Sequence, residues 1–394
     1  MKINTGKGVI SVWALLGIWS VSALTSLPGL AISPVAEKLT SIFPSATDLD
    51  IQLLTTLPSL LIIPFILFAG YISEKVGYIK LLYTGLVMFL LCGALYFVCN
   101  SMAQLILVSV LLGVGAGIIV PLSTALVSRF FAGEERTRQY GYVSAINNIA
   151  LVVATAVTGW LADIQWRLPF LVYLLPIFSI LLVSPVKKGE RTIEKKDEMS
   201  NDGAATGVLG GVRLVKYMLY YLLITYLVMA VSINLPFMLG AHGYDSGVSG
   251  VVTSVFFVAI MLPGLFINRL VKFLGGNILL WSLLLISLGL LDVFVNPSLL
   301  FVLIGCFAAG FGYGAAQPYI YDVTASIASA SKVTLALALL MTMNYVAIVI
   351  CPFVVDFAQS LFDAKGEGFP FILNAIVGFV AMALLFVYKL FRKR

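Results

Sequence analysis

The chain has 394 residues, 61% of them hydrophobic and 11% charged, with a formal net charge of +6 and a mean hydropathy of +1.06. A water-soluble domain carries about 25% charged residues to stay hydrated, so this composition excludes a soluble protein and makes lipid the solvent. The surplus positive charge is not gathered on a hydrophilic domain, which leaves no electrostatic footprint for nucleic acid.

A helix needs about 20 apolar residues to cross a bilayer. Apolar runs broken by polar turns place six spans at 11–33, 51–72, 81–99, 103–127, 141–162 and 169–185, and six more at 217–240, 248–268, 278–295, 299–322, 334–357 and 369–389. Lys2 and Lys7 precede the first run, but the stretch from Val9 to Ile32 is too long for the core of a cleaved signal, so it reads as an uncleaved span. Twelve spans put both termini on one side. The segments on that side hold 21 of the 24 lysines and arginines, and only Lys38, Arg167 and Lys365 fall opposite. The positive-inside rule then makes both termini cytoplasmic in a multi-pass cell-membrane protein.

The expected architecture is all-α and polytopic, with an N-terminal half at 1–185, a cytoplasmic linker at 186–216 and a C-terminal half at 217–394. The linker mixes both charge signs with Gly and Ser and lacks apolar periodicity, so it predicts a flexible connector. The halves repeat each other. Gly113-x-Gly115-x-Gly117-x-x-x-Pro121 in the fourth span recurs 197 residues later as Gly310-x-Gly312-x-Gly314-x-x-x-Pro318 in the tenth, and the same offset carries Asn147-x-x-Ala150 to Asn344-x-x-Ala347. Gly70-x-x-x-Glu74-Lys75 matches Gly264-x-x-x-Asn268-Arg269 at an offset of 194. Two six-helix repeats related by a pseudo-two-fold axis hold their substrate near the midplane, between halves that rock.

Gly70-Tyr-Ile-Ser-Glu74-Lys75-Val-Gly77-Tyr-Ile-Lys80 resembles the loop signature of the major facilitator superfamily, with Glu74 in place of the usual Asp and Tyr78 and Ile79 in place of basic residues. Trp166-Arg167-Leu-Pro-Phe170 is similar to the motif before that family's sixth helix. Span count, orientation, linker and repeat extend the resemblance over the whole chain, toward bacterial drug-exporter-like members. Two departures bear on coupling. Ser109 stands where the family's proton-coupled exporters often carry Arg, and the fifth span has no Gly-Pro pair between Ala154 and Gly159.

An ionisable residue inside a span is costly and functional by default. No carboxylate lies at a span centre; Asp163, Asp292 and Asp356 sit at outer ends, Glu37, Asp48 and Asp50 in the first outer loop, and Asp322 one turn inside a cytoplasmic end. Asp322 reads first as a gate or structural ion pair and second as a proton carrier. The duplicated fold pairs Glu74, beside Lys75, with Arg129 at one set of helix ends, and Arg269 with Asp322 at the other, with the signs exchanged. In the family such pairs latch the outward-facing state. Asn147, Asn148, Asn344, Tyr345, Gln317 and Asn234 are the uncharged polar residues chosen as cavity candidates within the spans, where such side chains should face a cavity or a neighbouring helix. The glycines Gly113, Gly115, Gly117, Gly310, Gly312 and Gly314 permit close backbone approach. Pro121 and Pro318 each remove a backbone donor and bend their helices.

Cys92, Cys99, Cys306 and Cys351 lie in apolar runs and His242 is the single histidine, so neither a disulfide framework, a metal, a cofactor nor an enzyme's catalytic constellation is expected. Without a cation at a span centre the cavity does not suit dianions, and without a carboxylate there it does not suit organic cations. The sequence therefore predicts a secondary active transporter, a monomer in membrane lipid, that exports a small neutral or amphiphilic molecule by alternating access, with protons as the second partner if it is coupled. Uptake or facilitated diffusion of a neutral metabolite is the first alternative, and a non-transporting scaffold or receptor the second.

Overall fold

In lipid every backbone N–H and C=O must find its partner within the segment, which leaves the helix as the form an apolar run of this length can take. The computed structural model describes residues 2–32, 35, 39, 42–44, 48–184, 209–244, 246–329, 331–363 and 366–392, with side chains throughout except at 2, 48–49, 51–52, 55, 74, 163, 246–247, 388 and 392. Most of the predicted linker and Glu37 lie outside the described residues, as does the side chain of Glu74.

The helices are α1 (Val12–Leu24), α2 (Asp48–Val76), α3 (Tyr78–Leu95), α4 (Met102–Phe130) and α5 (Gly133–Ile164), then α6 (Leu168–Ser184), which opens as a 3-10 helix. They are followed by α7 (Gly211–Ala241), α8 (Ser246–Leu265), a short helix at Ile267–Leu274, α9 (Ile278–Val295), α10 (Leu299–Ile327), α11 (Val333–Leu361) and α12 (Phe369–Arg392). Among the described residues ten helices are long and apolar enough to cross a membrane, and α1 and α6 are shorter apolar helices at the places of the first and sixth expected spans.

Several helices outrun the apolar runs that announced them. α2, α4, α5, α7, α10 and α11 each reach 29 or more residues, because a helix continues past the first charge whereas an apolar run ends there. The first span departs the other way. Its helix stops at Leu24 and residues 25–32 run on as tight turns, among them Leu27 N–H to Leu24 O and Leu30 N–H to Leu27 O. Pro28 has no N–H to donate and Gly29 sits at φ +79, so the helix cannot pass through them.

A two-stranded hairpin, Lys2–Asn4 against Val9–Ser11, precedes α1 and was not expected. Thr5 Oγ1 closes its turn by accepting the N–H groups of Lys7 and Gly8, and Gly6 adopts φ +79. The hairpin seats on the end of α4: Ala132 N–H donates to Thr5 O, and Lys7 Nζ donates to the carbonyls of Ser128 (2.9 Å) and Arg129 (3.2 Å). A cation on the last carbonyls of a helix meets its negative end. We expect Lys7→Met to cost about 1 kcal/mol and the amide of Ala132 to exchange about fivefold faster in hydrogen–deuterium exchange. Unchanged protection would show that the lysine does not hold the hairpin.

By contacts the chain falls into two units. One comprises residues 1–139, 149–214 and 322–345; the other comprises 140–148, 215–321 and 346–394. α5, α7, α10 and α11 each contribute to both units.

In the first unit the glycines of α4 decide the packing. A Cβ on Gly113 would lie 2.6 Å from Pro58 O, and one on Gly117 would lie 2.6 Å from Phe65 Cβ, so both face α2; Gly115 faces α3 at Phe89. The second unit repeats this on α10. A Cβ on Gly310 would lie 2.6 Å from Phe256 O of α8, one on Gly314 would overlap the Ile260 carbonyl, and Gly312 faces Ser282 O of α9. Spacing of four puts the first and third glycines on one helix face and the middle one on another. Pro121 and Pro318 lie inside unbroken α4 and α10.

Candidate functional site

Two polar clusters stand out against this apolar background, one in each unit. The first is built on α5 and α10. Arg136 Nε donates to Asp322 Oδ1 at 2.6 Å, Arg136 Nη2 donates to the Asp322 carbonyl at 3.3 Å, and Thr137 Oγ1 donates to Asp322 Oδ2 at 2.7 Å. The two charged side chains are 17% and 18% exposed. Both carboxylate oxygens are thus engaged by residues adjacent in sequence, and the pair is too enclosed to be an ordinary surface contact.

Asp322 had been expected opposite Arg269, by symmetry with Glu74 and Arg129. The structure gives its carboxylate to Arg136 and Thr137, and Arg269 is exposed. Symmetry of sequence fixed which helix ends carry charge; it did not fix which charge a side chain reaches. The guanidinium of Arg129 lies over the ring of Tyr78, 4.2 Å from its centroid, while Tyr78 donates to the Leu122 carbonyl. A guanidinium over a ring face is held by the ring's quadrupole. Lys75 is taken up on its own helix, donating to Tyr71 Oη at 2.7 Å. The expected Glu74–Arg129 contact involves a side chain outside the described residues.

The second cluster centres on Gln317 of α10. Its Nε2 lies 3.1 Å from Tyr221 Oη, 3.1 Å from Tyr321 Oη and 3.4 Å from Tyr313 Oη, and its Oε1 accepts from Ser144 Oγ at 2.8 Å. Tyr221 and Tyr321 share a 2.7 Å hydrogen bond, and Thr225 Oγ1 lies 3.4 Å from Tyr313 Oη. The Tyr221 and Tyr313 rings stack at 6.5 Å, and Tyr140 meets Tyr321 edge to face at 5.8 Å. Gln317 is half-buried while Tyr140, Tyr221, Tyr313 and Tyr321 are buried. An amide nitrogen has two hydrogens, and here three phenol oxygens compete for them. Such a group can exchange a phenol for a substrate's acceptor without stranding a donor.

Gln317 was recognisable as a polar residue in a span. Its partners Tyr221, Tyr313, Tyr321 and Ser144, and Thr225 beside Tyr313, were not singled out, because tyrosines in membrane helices read as packing. The signal was present: Tyr313, Gln317 and Tyr321 are four apart, which puts all three on one face of α10. The other polar candidates are dispersed. Asn148 donates to the Ser144 carbonyl at 2.8 Å, so its amide hydrogen serves its own helix. Asn147 and Asn234 are half-buried in the second unit, and Asn344 and Tyr345 in the first.

Ser109, where the family often carries Arg, and the Trp166–Phe170 motif have structural work of their own. Ser109 is fully buried and shares a 2.5 Å hydrogen bond with Tyr96, so a neutral hydroxyl pair occupies this point of α4. Arg167 ties the start of α6 to the loop after α3, donating to Cys99 O (3.0 Å) and Asn100 Oδ1 (2.9 Å). Phe170 stacks on Tyr96 at 4.3 Å.

Comparison with known proteins bears on the family and the fold. The chain is 28% identical over 150 residues to the multidrug transporter protein MdtP of Bacillus subtilis, covering 37% of this chain and 27% of that one. It is 27% identical over 166 residues to the quinolone resistance protein NorA of Staphylococcus aureus, covering 41% of this chain and 42% of that one. The alignments therefore span well under half of either relative. Among solved structures, the proton:xylose symporter XylE superposes with a TM-score of 0.74 at 15% identity, covering 96% of this chain and 95% of the other. The human organic anion transporter MFSD10 gives 0.70 at 16%, covering 95% and 97%. These two establish the fold. The sequence profile of the Major Facilitator Superfamily matches residues 14–277 and 217–394, and the chain belongs to that superfamily of membrane transporters.

Proposed function

We propose that the protein is a secondary active exporter of small neutral or amphiphilic molecules, working by alternating access in the cytoplasmic membrane with both termini inside. The observation that carries this reading is the chemistry of the Gln317 cluster: four phenols, an amide and two hydroxyls, with no charge among them. A site of this kind favours an uncharged ligand with an aromatic or apolar body and one or two hydrogen-bonding groups, because aromatic faces supply area and the amide fixes orientation. The drug transporters among the relatives support export over uptake.

In this reading the sequence halves 1–185 and 217–394 are the moving bodies of a monomer, and the Asp322–Arg136–Thr137 contact is a latch, since it joins α5 of one half to α10 of the other. The latch stabilises one state by as much as its energy differs between states. For a proton gradient Asp322 is the candidate carboxylate, ahead of Glu37 and Asp50, since the latch depends on it.

A thermal-shift panel of neutral, cationic and anionic amphiphiles on the purified protein tests the site, since a ligand that binds the folded chain raises its melting temperature. Neutral aromatic amphiphiles should raise it for the wild type, and Gln317→Leu should weaken the response about tenfold in ligand concentration, as expected for loss of about 1.4 kcal/mol of hydrogen bonding. A wild-type response confined to charged ligands would contradict the reading.

A further inference from the structure

The second unit carries a groove of about 770 Å³ that the transport reading does not use. Its mouth is polar and its floor apolar. Lys216 and Tyr217 near the start of α7, Asn277 at the start of α9 and Lys389 near the end of α12 form the mouth, and Leu223, Leu283 and Ala381 line the deeper part. From Lys216 to Leu223 is about 10 Å along α7, and from Lys389 back to Ala381 about 12 Å along α12, at 1.5 Å per residue. The groove thus descends from cations to aliphatic side chains over the depth at which a lipid passes from headgroup to acyl chain.

The mouth is held in shape. Lys389 Nζ donates to the Gly276 carbonyl and to Asn277 Oδ1 (3.1 Å), and Tyr220 Oη donates to Leu279 O at 2.5 Å, which fastens α7 to α9. Asn277 closes the 3-10 turn Gly275–Asn277 that leads directly into α9, which fixes its side chain at the mouth beside Lys389. The contrast within the molecule is informative. A groove of about 570 Å³ in the first unit is lined by Tyr83, Thr84, Val87, Met88 and neighbouring apolar side chains and has no charged residue. That is the surface any membrane helix pair offers to bulk lipid, whereas the groove at Lys216 and Lys389 couples an apolar floor to a cationic mouth.

We propose that this groove binds an anionic phospholipid of the leaflet on the side of the chain termini, its phosphate between Lys216 and Lys389 and an acyl chain along Leu223 and Leu283. Charge complementarity selects the headgroup, since a basic recess at the membrane surface attracts anionic lipid, and the floor distinguishes a lipid from a free anion. A bound lipid would bridge α7, α9 and α12 and so hold the second unit together.

Native mass spectrometry and thermal shift on the purified full chain, titrated with phosphatidylglycerol, phosphatidylcholine or inorganic phosphate, test the proposal without requiring transport. Phosphatidylglycerol should stay bound and raise the melting temperature, while phosphatidylcholine and inorganic phosphate should do neither. Lys216→Gln should weaken phosphatidylglycerol about fivefold, the increment expected for one basic residue at a membrane surface, and Lys216→Gln with Lys389→Gln about 25-fold. Leu223→Trp should displace the acyl chain with both lysines intact. Lys216 is exposed, so its single variant tests the charge even if the double variant fails to fold. Equal retention of phosphatidylcholine, an equal response to inorganic phosphate, or unchanged phosphatidylglycerol binding by Lys216→Gln would each overturn the proposal.

Discussion

Asp322→Asn is expected to destabilise the protein by about 2 kcal/mol, below the roughly 3–5 kcal/mol lost when one partner of a fully buried pair is removed, because both side chains retain some contact with solvent. The substitution preserves volume but leaves the Arg136 guanidinium, 17% exposed, without its counter-charge. Arg136→Gln should cost a similar amount for the mirror reason. The double variant should recover most of the loss, because neither charge is then left alone, and a coupling energy above about 1 kcal/mol in the cycle would identify a direct pair. Denaturation in detergent reads all four proteins. Additive losses would show that the two residues act separately. The same variants bear on the proposed mechanism: on that reading, releasing the Asp322–Arg136 contact should increase the reactivity of cysteines introduced along the Arg136 end of α5, since the population closed by that contact falls.

Gly314→Ala is expected to be comparably damaging for a reason unrelated to charge. A methyl group on Gly314 meets the carbonyl and Cα of Ile260, which are backbone atoms and cannot rotate away. α8 and α10 must separate, at a cost of about 3 kcal/mol by analogy with overpacked cores. Gly113→Ala meets the Pro58 backbone in the repeated position and should behave alike. Gly159→Ala is the control, because nothing lies within 4 Å of the added methyl, and it should be neutral or slightly stabilising through helix propensity. Yield and melting temperature of the three variants, side by side, check the ranking. If Gly314→Ala and Gly159→Ala behave alike, the close approach of the two helices is not as described.

These expectations show where the sequence was legible. Ten long helices could be read from apolar runs, since lipid admits little else, and the glycine triplets announced close packing because no side chain fits where two backbones meet. Positions whose structure depends on one or two residues were harder to read. Pro28 and Gly29 end α1 inside a run that hydropathy counts as continuous. The Lys2–Ser11 hairpin is too short to show a period and owes its place to Lys7 and the end of α4.

The sites divide in the same manner. Gln317 and Asp322 declared themselves as polar groups in apolar helices. Their partners did not, because partner choice is tertiary. Arg136 counted as one more cytoplasmic positive charge, beside Glu134 and Glu135, until folding set it against α10. Tyr221 and Tyr321 looked like ordinary membrane aromatics until their hydroxyls met at 2.7 Å.

Flux of a neutral aromatic dye from proteoliposomes, measured with and without an imposed pH gradient, tests the central claim most directly. The account predicts protein-dependent flux that Gln317→Leu reduces at least about tenfold, in line with the lost transition between hydrogen-bond partners, while Gly159→Ala leaves it intact. Any acceleration by the pH gradient should disappear in Asp322→Asn. Wild-type flux no faster than from empty liposomes, or flux that Gln317→Leu leaves unchanged, would contradict it.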